Sequence, residues 1–366
     1  MSLRLAGVSK IGNNETHIFP TDLELQKGSM NILLGPTSSG KTSLMRLMAG
    51  LDKPDSGEIF WDDEDVTNCR VQDRDIAMVY QQFVNYPAMT VYDNIASPLK
   101  LQKKSSAEID AKVQEVAELL KLSSILDRKP NEISGGQQQR CAMARAMAKN
   151  VGLVLMDEPL ANLDYKLREE LRVEIPRLFE ASGSIFVYAT TEPEEALLLG
   201  GNSVTLWEGR VTQFGPAAEV YRTPVDAKTA RVYSDPPMNF IAVTKQGEMI
   251  CFPNGQSIMA KDEMGSQPDG QYWAGFRAHD VELLSERSAE KIIFDAQLIV
   301  TELTGSDTFL HLDVAGKRWI GLIPKIHMFE PGMEMQICLD PSRLFYFDAA
   351  EKRVASPAVT ATLVNA

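Results

Sequence analysis

The sequence predicts a mixed α/β domain over residues 1–235 and an all-β small barrel over residues 236–366. Three observations carry this. A glycine-punctuated stretch at 35–42 stands between an apolar strand and a helix. A second apolar strand, Leu153-Val154-Leu155-Met156, ends in two acids. From residue 241 onward the chain breaks into short alternating apolar runs separated by turn residues.

The first stretch reads Gly35-Pro36-Thr37-Ser38-Ser39-Gly40-Lys41-Thr42 and fits the phosphate-loop pattern at every fixed position. Asn31-Ile32-Leu33-Leu34 before it reads as a buried strand, and Ser43 to Met48 after it as a helix. Gly35 and Gly40 let the backbone curl so that N–H groups face phosphate oxygens. The helix adds the positive end of its dipole. Lys41 is placed to reach the β- and γ-phosphates, and the Thr42 hydroxyl to ligate Mg²⁺.

Composition bounds the rest. The chain has 366 residues, 44% hydrophobic and 24% charged, as in an ordinary globular protein. Its net charge of −13 argues against a surface built to neutralise nucleic-acid phosphates. No apolar run approaches the roughly 18 residues of a membrane-spanning helix. Met1 to Leu5 carries no signal-peptide apolar core. Cys69, Cys141, Cys251 and Cys338 are scattered and read as free thiols of a reducing compartment.

In chain order, Leu3 to Gly28 reads as antiparallel strands with a turn at Gly12-Asn13-Asn14. Short strands follow at Glu58–Trp61 and Asp75–Tyr80, the latter running into Gln81-Gln82. Ala107 to Leu122 has helical spacing. Ser134-Gly135-Gly136-Gln137 reads as a turn before an Ala- and Met-rich helix, a second place where backbone N–H groups meet an anion. Asp157 is placed to hold magnesium through water, and Glu158 to orient and deprotonate an attacking water. The bland alternatives are a capped helix and a pair of capping acids.

Together these motifs resemble the ATPase subunits of ABC transporters. The resemblance rests on the phosphate loop, Gln81 at the Q-loop position, the signature Ile133-Ser134-Gly135-Gly136-Gln137, the Asp157-Glu158 pair and the loop Asn162-Leu163-Asp164. It covers residues from the start to about 235. It implies a P-loop ABC ATPase domain with a helical subdomain at about 83–145. It also implies two subunits facing head to tail, each ATP lying between one phosphate loop, including Ser43, and the other subunit's signature. Gln81 is implied as a further magnesium ligand and nucleotide sensor.

Tyr86 to Ile95, the run Ser134 to Arg140, and Asp235-Pro236-Pro237-Met238-Asn239-Phe240 are similar to the carbohydrate-importer branch, including importers of maltose and glycerol 3-phosphate. That resemblance implies two membrane permease subunits, an extracytoplasmic solute-binding protein met indirectly, and a peripheral place on the cytoplasmic face of the inner membrane. Tyr86 and Met89 are implied candidates for the groove that takes a permease helix. The C-terminal part resembles the regulatory OB/TOBE-like domain of such subunits, through Gly275 to His279 and Phe345 to Asp348. A non-transport ATPase of the same fold is the alternative of a different class. Such proteins show a coiled-coil insertion or two fused modules, and neither is present here.

Two positions depart from the family pattern. Thr191 stands where the switch histidine belongs, and His17, His279, His311 and His327 leave none between residues 18 and 278. Hydrogen bonds to charged groups are worth roughly 1.5–3 kcal/mol, about ten- to a hundredfold in rate. Aliphatic Ile11 stands nearest the position of the adenine-stacking aromatic, with His17 or Phe19 as substitutes. Both departures fall on this subunit's own nucleotide face, while its signature is whole. The expectation is a heterodimer with a second, more complete ATPase subunit; a homodimer is the rival. Glycerol importers are similar in using two distinct ATPase subunits, so glycerol or a related polyol is the expected solute.

Overall fold

The computed structural model describes residues 2–12, 15–82, 84–161, 163–284 and 291–357. Asn13, Asn14, Phe83 and Asn162, named above in the turn, the subdomain boundary and the loop after the acids, lie outside the described residues. The chain divides into two compact units, Met1–Ala218 and Glu219–Ala366.

In the first unit a six-stranded sheet has the order Arg210–Pro216, Asn202–Trp207, Met30–Leu34, Ile185–Thr190, Leu153–Asp157, Ile76–Val79. The first pair is antiparallel and the rest are parallel. Strands buried on both faces read as continuous apolar runs, and Leu153–Asp157 and Ile185–Thr190 are buried at every residue. The parallel register pairs Leu34 with Thr190 and Asp157 with Ala189. The ends of three strands therefore finish together at one edge, where open α/β sheets place their ligands.

A second, antiparallel sheet has the order Glu15–Gln26, Ser2–Gly12, Ser56–Trp61, Glu64–Asp65. The helix Lys41–Ala49 shares one core with both sheets. Its Leu44, Met45, Leu47 and Met48 are clustered with Leu3, Leu25 and Ile59 of the antiparallel sheet and with Leu33, Leu155 and Val187 of the parallel one. Burying each such side chain is worth about 1.5–3 kcal/mol, which fixes the helix and the loop before it.

Helices Val91–Leu101, Ser106–Leu119 and Gly135–Ala148 form the helical part. Each starts on an N-cap: Thr90 accepts from Asp93 N–H, and Ser105 and Ser134 close capping boxes with Glu108 and Gln137. The sequence placed Gly135 and Gly136 in a turn. The structure puts them in the first helical turn, because Ser134 satisfies the free N–H of Gln137 and the helix can begin at once.

The second unit is antiparallel throughout. One sheet has the order Ser257–Met259, Met249–Cys251, Asn239–Gln246, Gly270–Phe276, Phe345–Phe347, Arg353–Ala355. The other has the order Val281–Leu283, Glu334–Leu339, Ile292–Leu303, Asp307–Val314, Lys317–Pro324. They curl around one core, where buried Trp319 meets Phe276 at 4.8 Å and Phe294 at 5.0 Å between ring centres, both edge to face. This is the small barrel that the alternating runs predict. The units part earlier in the chain than the turn-rich hinge at 235. Ala227 and Ala230 of the helix Ala227–Val232 pack with Met238, Phe345 and Phe347 in a smaller cluster of their own, so the helix belongs with the second unit.

Candidate functional site

The phosphate loop leaves the end of Met30–Leu34 and enters Lys41–Ala49. Gly35 is required by space: a Cβ there would lie 2.4 Å from the Leu206 carbonyl oxygen and 2.6 Å from Ser39 Oγ. Gly40 is required by conformation, with φ at 104°. Leu44 N–H donates to the Gly40 carbonyl at 2.9 Å, the first turn of the helix whose start faces the loop.

Lys41 curls back over its own loop. Its Nζ donates to the carbonyls of Gly35 at 2.7 Å and Pro36 at 3.1 Å, and stands 3.8 Å from Glu158 Oε1. Burial pushes its pKa down, and the charges of Glu158 and Asp157 oppose that shift. A phosphate would supply the anionic partner that the carbonyls only approximate.

Thr42 Oγ1 donates to Asp157 Oδ2 at 2.7 Å. Asp157 is 3% exposed, and burial raises its pKa against the Thr42 hydrogen bond and the Lys41 charge. Next to it, Glu158 has φ at 45°, and its N–H donates to Ala189 O at 3.0 Å. That kink carries the side chain out of the strand. Gln81 Nε2 donates to Glu158 Oε2 at 2.9 Å, closing the site from the edge strand Ile76–Val79.

A cavity of about 600 Å³ opens over these groups. One wall is Thr37, Ser38, Gly40, Lys41, Thr42 and Ser43, with Gln81 and Glu158 beyond. Glu15, Thr16, His17, Glu208 and Gly209 also line it. Asp157 lies behind Thr42, and Ser39 is buried in the loop with Pro36 beside it. Ile11, at 53% exposure, is not among the lining residues, and neither is exposed Thr191.

The signature does not line this cavity either. Ser134 and Gly135 are exposed, Ser134 N–H donates to Gln137 Oε1 at 2.9 Å, and buried Gln139 bonds the Pro159 carbonyl. The helix that carries the signature is thereby tied to the loop just past Glu158.

Two arrangements escape sequence reasoning. Fully buried Asn94 gathers the segment after Gln81: its Nδ2 donates to the carbonyls of Tyr86, Met89 and Thr90 at 3.1, 3.2 and 2.9 Å, and its Oδ1 accepts from Tyr86 N–H at 2.8 Å. Arg145 bonds the Val84 carbonyl and lies over the Tyr86 ring at 4.9 Å. Beside Thr191, buried Glu195 accepts from Tyr188 OH at 3.0 Å and Thr190 Oγ1 at 2.7 Å, and pairs with Arg172 at 3.3 Å. Burial, then Glu195, pushes the Tyr188 phenol well above its ordinary value. No motif marks these residues, because their partners are backbone carbonyls or side chains at no fixed sequence spacing.

Comparison with known proteins places this geometry. A family model described as ABC transporter matches residues 19–161. The chain is 35% identical to the trehalose/maltose import ATP-binding protein of Thermococcus litoralis, over 94% of this chain and 97% of that one. The chain belongs to the ABC transporter family. This ABC subunit is also 34% identical to the multiple sugar-binding transport ATP-binding protein of Streptococcus mutans, covering 95% of this chain and 98% of that one. Its identity to the sn-glycerol-3-phosphate import ATP-binding protein of Cupriavidus pinatubonensis is 33%, covering 95% and 97%. Among solved structures it is similar to a dimeric ATP-binding cassette in a post-hydrolysis state bound to ADP and Pi. There the TM-score is 0.54 at 29% identity, covering 59% of this chain and 98% of that chain. As an ABC ATP-binding subunit it is an ATPase coupled to solute import. Among the described residues no helix is long and apolar enough to cross a membrane.

Proposed function

We propose that this chain binds ATP in the cavity over Lys41 and hydrolyses it to drive uptake of a carbohydrate or polyol through a membrane importer. The observation that carries the reading is the convergence of Lys41, the Thr42–Asp157 pair and the Gln81–Glu158 pair on one cavity. The loop amides of residues 35–42 and the Lys41 ammonium hold the phosphates. Glu158 accepts a proton from the water that attacks the γ-phosphorus. The bond to the bridging oxygen breaks, and ADP and phosphate leave.

Magnesium fits the residues present. Thr42, Asp157 and Gln81 offer oxygen donors, the chemistry a hard cation requires. Among the described residues no cluster of three or more His, Cys, Asp or Glu could hold a metal ion. Held there, such an ion would supply positive charge against the phosphates.

The signature, exposed at the start of Gly135–Ala148, serves the ATP of a second ATPase subunit. Thr191 in place of the switch histidine and Ile11 in place of the stacking aromatic support a different subunit as partner, with one stronger and one weaker site. One of the two permease subunits presents a helix to the groove of about 390 Å³ that Tyr86, Leu101 and Arg145 line, with Met89, at 41% exposure, as a further candidate contact. The subunit then sits on the cytoplasmic face of the inner membrane, with a solute-binding protein acting from the other side. Relatives named for glycerol 3-phosphate and for sulfoquinovosyl glycerol support glycerol or a related polyol as the solute.

Co-purification with the neighbouring membrane subunits, followed by labelled glycerol uptake into vesicles loaded with ATP, tests the reading. Uptake that needs both ATP and this chain supports it. Assembly without membrane subunits refutes it. Recovery of a second ATPase chain supports the heterodimer, and a homodimer with brisk turnover refutes it.

A further inference from the structure

The turn that carries Thr191 is pinned on both sides. Thr190, the last residue of Ile185–Thr190, is 3% exposed. Its hydroxyl donates to Glu195 Oε2 at 2.7 Å and accepts Glu192 N–H at 3.0 Å, which uses its one hydrogen and a lone pair. Thr191 is the exposed apex between these two bonds. On the other side, Gly35 N–H donates to the Thr190 carbonyl at 3.4 Å, so the turn abuts the first residue of the phosphate loop.

Glu195 stands at the third position of the helix Pro193–Leu199, where a glutamate can reach back and cap its own helix. Here the helix start has no side-chain cap, and the buried carboxylate turns to the strand. Its Oε2 accepts the Tyr188 hydroxyl at 3.0 Å beside that of Thr190, and its Oε1 meets Arg172 at 3.3 Å.

Arg172 then reaches the turn a second time. Its Nη2 donates to Glu192 Oε2 at 2.7 Å, and Arg168, one turn earlier, donates to Glu192 Oε1 at 3.3 Å. Both arginines stand on Tyr165–Ser182, whose N-cap is Asp164, a few residues past Glu158. Stability alone does not account for this set, because apolar side chains in place of a buried ion pair are often neutral or stabilising. What the carboxylate adds is direction: every bond it makes or shares fixes the residue before or after Thr191.

We propose that Glu195 is a positioning residue for hydrolysis, which acts through the Thr190 hydroxyl to hold Thr191 in register with the phosphate loop. The inference rests on the reading that this cavity hydrolyses ATP. Thr191 has a short side chain, so its contribution depends on where its backbone is set.

The test is single-turnover hydrolysis beside equilibrium ATP binding, with the full-length chain in the assembly it purifies with. Thr190→Val removes the hydroxyl at nearly constant shape and leaves Glu195 its Tyr188 and Arg172 partners. It is expected to slow hydrolysis about ten- to a hundredfold at unchanged ATP affinity, while Thr190→Ser, which keeps the hydroxyl, retains the wild-type rate. Glu195→Ala is expected to match Thr190→Val; if it does not fold, the two Thr190 variants carry the test alone. In a Thr191→Ala background neither change should slow hydrolysis further, because both act through that residue. Losses that multiply in that background overturn the inference, since they assign the clamp a structural role. An unchanged rate in Thr190→Val overturns it, and so does a parallel loss of ATP affinity. Wild-type protein that binds no ATP defeats the ATP reading itself, a different outcome.

Discussion

Gln81 Nε2 holds Glu158 Oε2 at 2.9 Å across residues far apart in the chain. The amide comes from the loop that leads into the helical part, and the carboxylate from the kinked end of a buried strand. Movement of the one is therefore felt by the carboxylate proposed to activate water.

Glu158→Gln removes the base and keeps the shape. ATP binding is expected to persist, with hydrolysis reduced by about a hundredfold or more. Gln81→Ala frees the carboxylate and should reduce turnover less. Single-turnover hydrolysis beside equilibrium ATP binding separates the two.

Asp157 sets a balance between stability and binding. Its folded pKa is raised by burial, so the shift favours folding below the ordinary carboxyl value near 3.8. That contribution is lost as pH rises through the folded pKa, leaving the buried charge as a burden at neutral pH. Asp157→Asn should therefore raise the melting temperature of the nucleotide-free protein at pH 7 and abolish the further rise that magnesium and ATP give the wild type. Thermal unfolding with and without both ligands reads both effects.

Asn94→Ala leaves the Tyr86 amide and the Met89 carbonyl short of a partner, while the Tyr86 and Thr90 carbonyls keep the Met89 and Asn94 N–H groups. A fully buried unsatisfied group costs about 1–3 kcal/mol, and these half-buried ones less. The expected result is a lower denaturation midpoint and loss of the membrane subunits on purification, with ATP affinity near wild type. Retained membrane subunits would mean that the segment Tyr86 to Thr90 is not the docking surface.

Thr191→His restores a ring at the exposed position after Ile185–Thr190. Turnover of the chain on its own should rise about ten- to a hundredfold. The Glu195–Tyr188–Thr190 hydrogen bonds that hold the adjoining segment are untouched by the change.

The parts legible in the sequence are those that backbone geometry forces. Gly35 and Gly40 are required by a close carbonyl and a left-handed φ, so the loop is written in residue types at fixed spacing. Asp157 and Glu158 show themselves as charge at the end of an apolar strand. The small barrel is visible in alternation alone. Asn94 and Arg145 are silent because they bond carbonyls, which every residue carries. The division between units is silent too, since Ala227 and Ala230 pack on Phe345 and Phe347 from the far end of the chain. Ile11 was the nearest residue by spacing, while register brings His17 to the cavity.

The most direct measurement is ATP affinity and ATP-driven solute uptake in the intact importer assembly carrying Lys41→Ala, checked for unchanged unfolding without nucleotide. Loss of both nucleotide retention and uptake is the predicted result. Retention of both would show that the cradle around Lys41 is not where this protein takes up its energy.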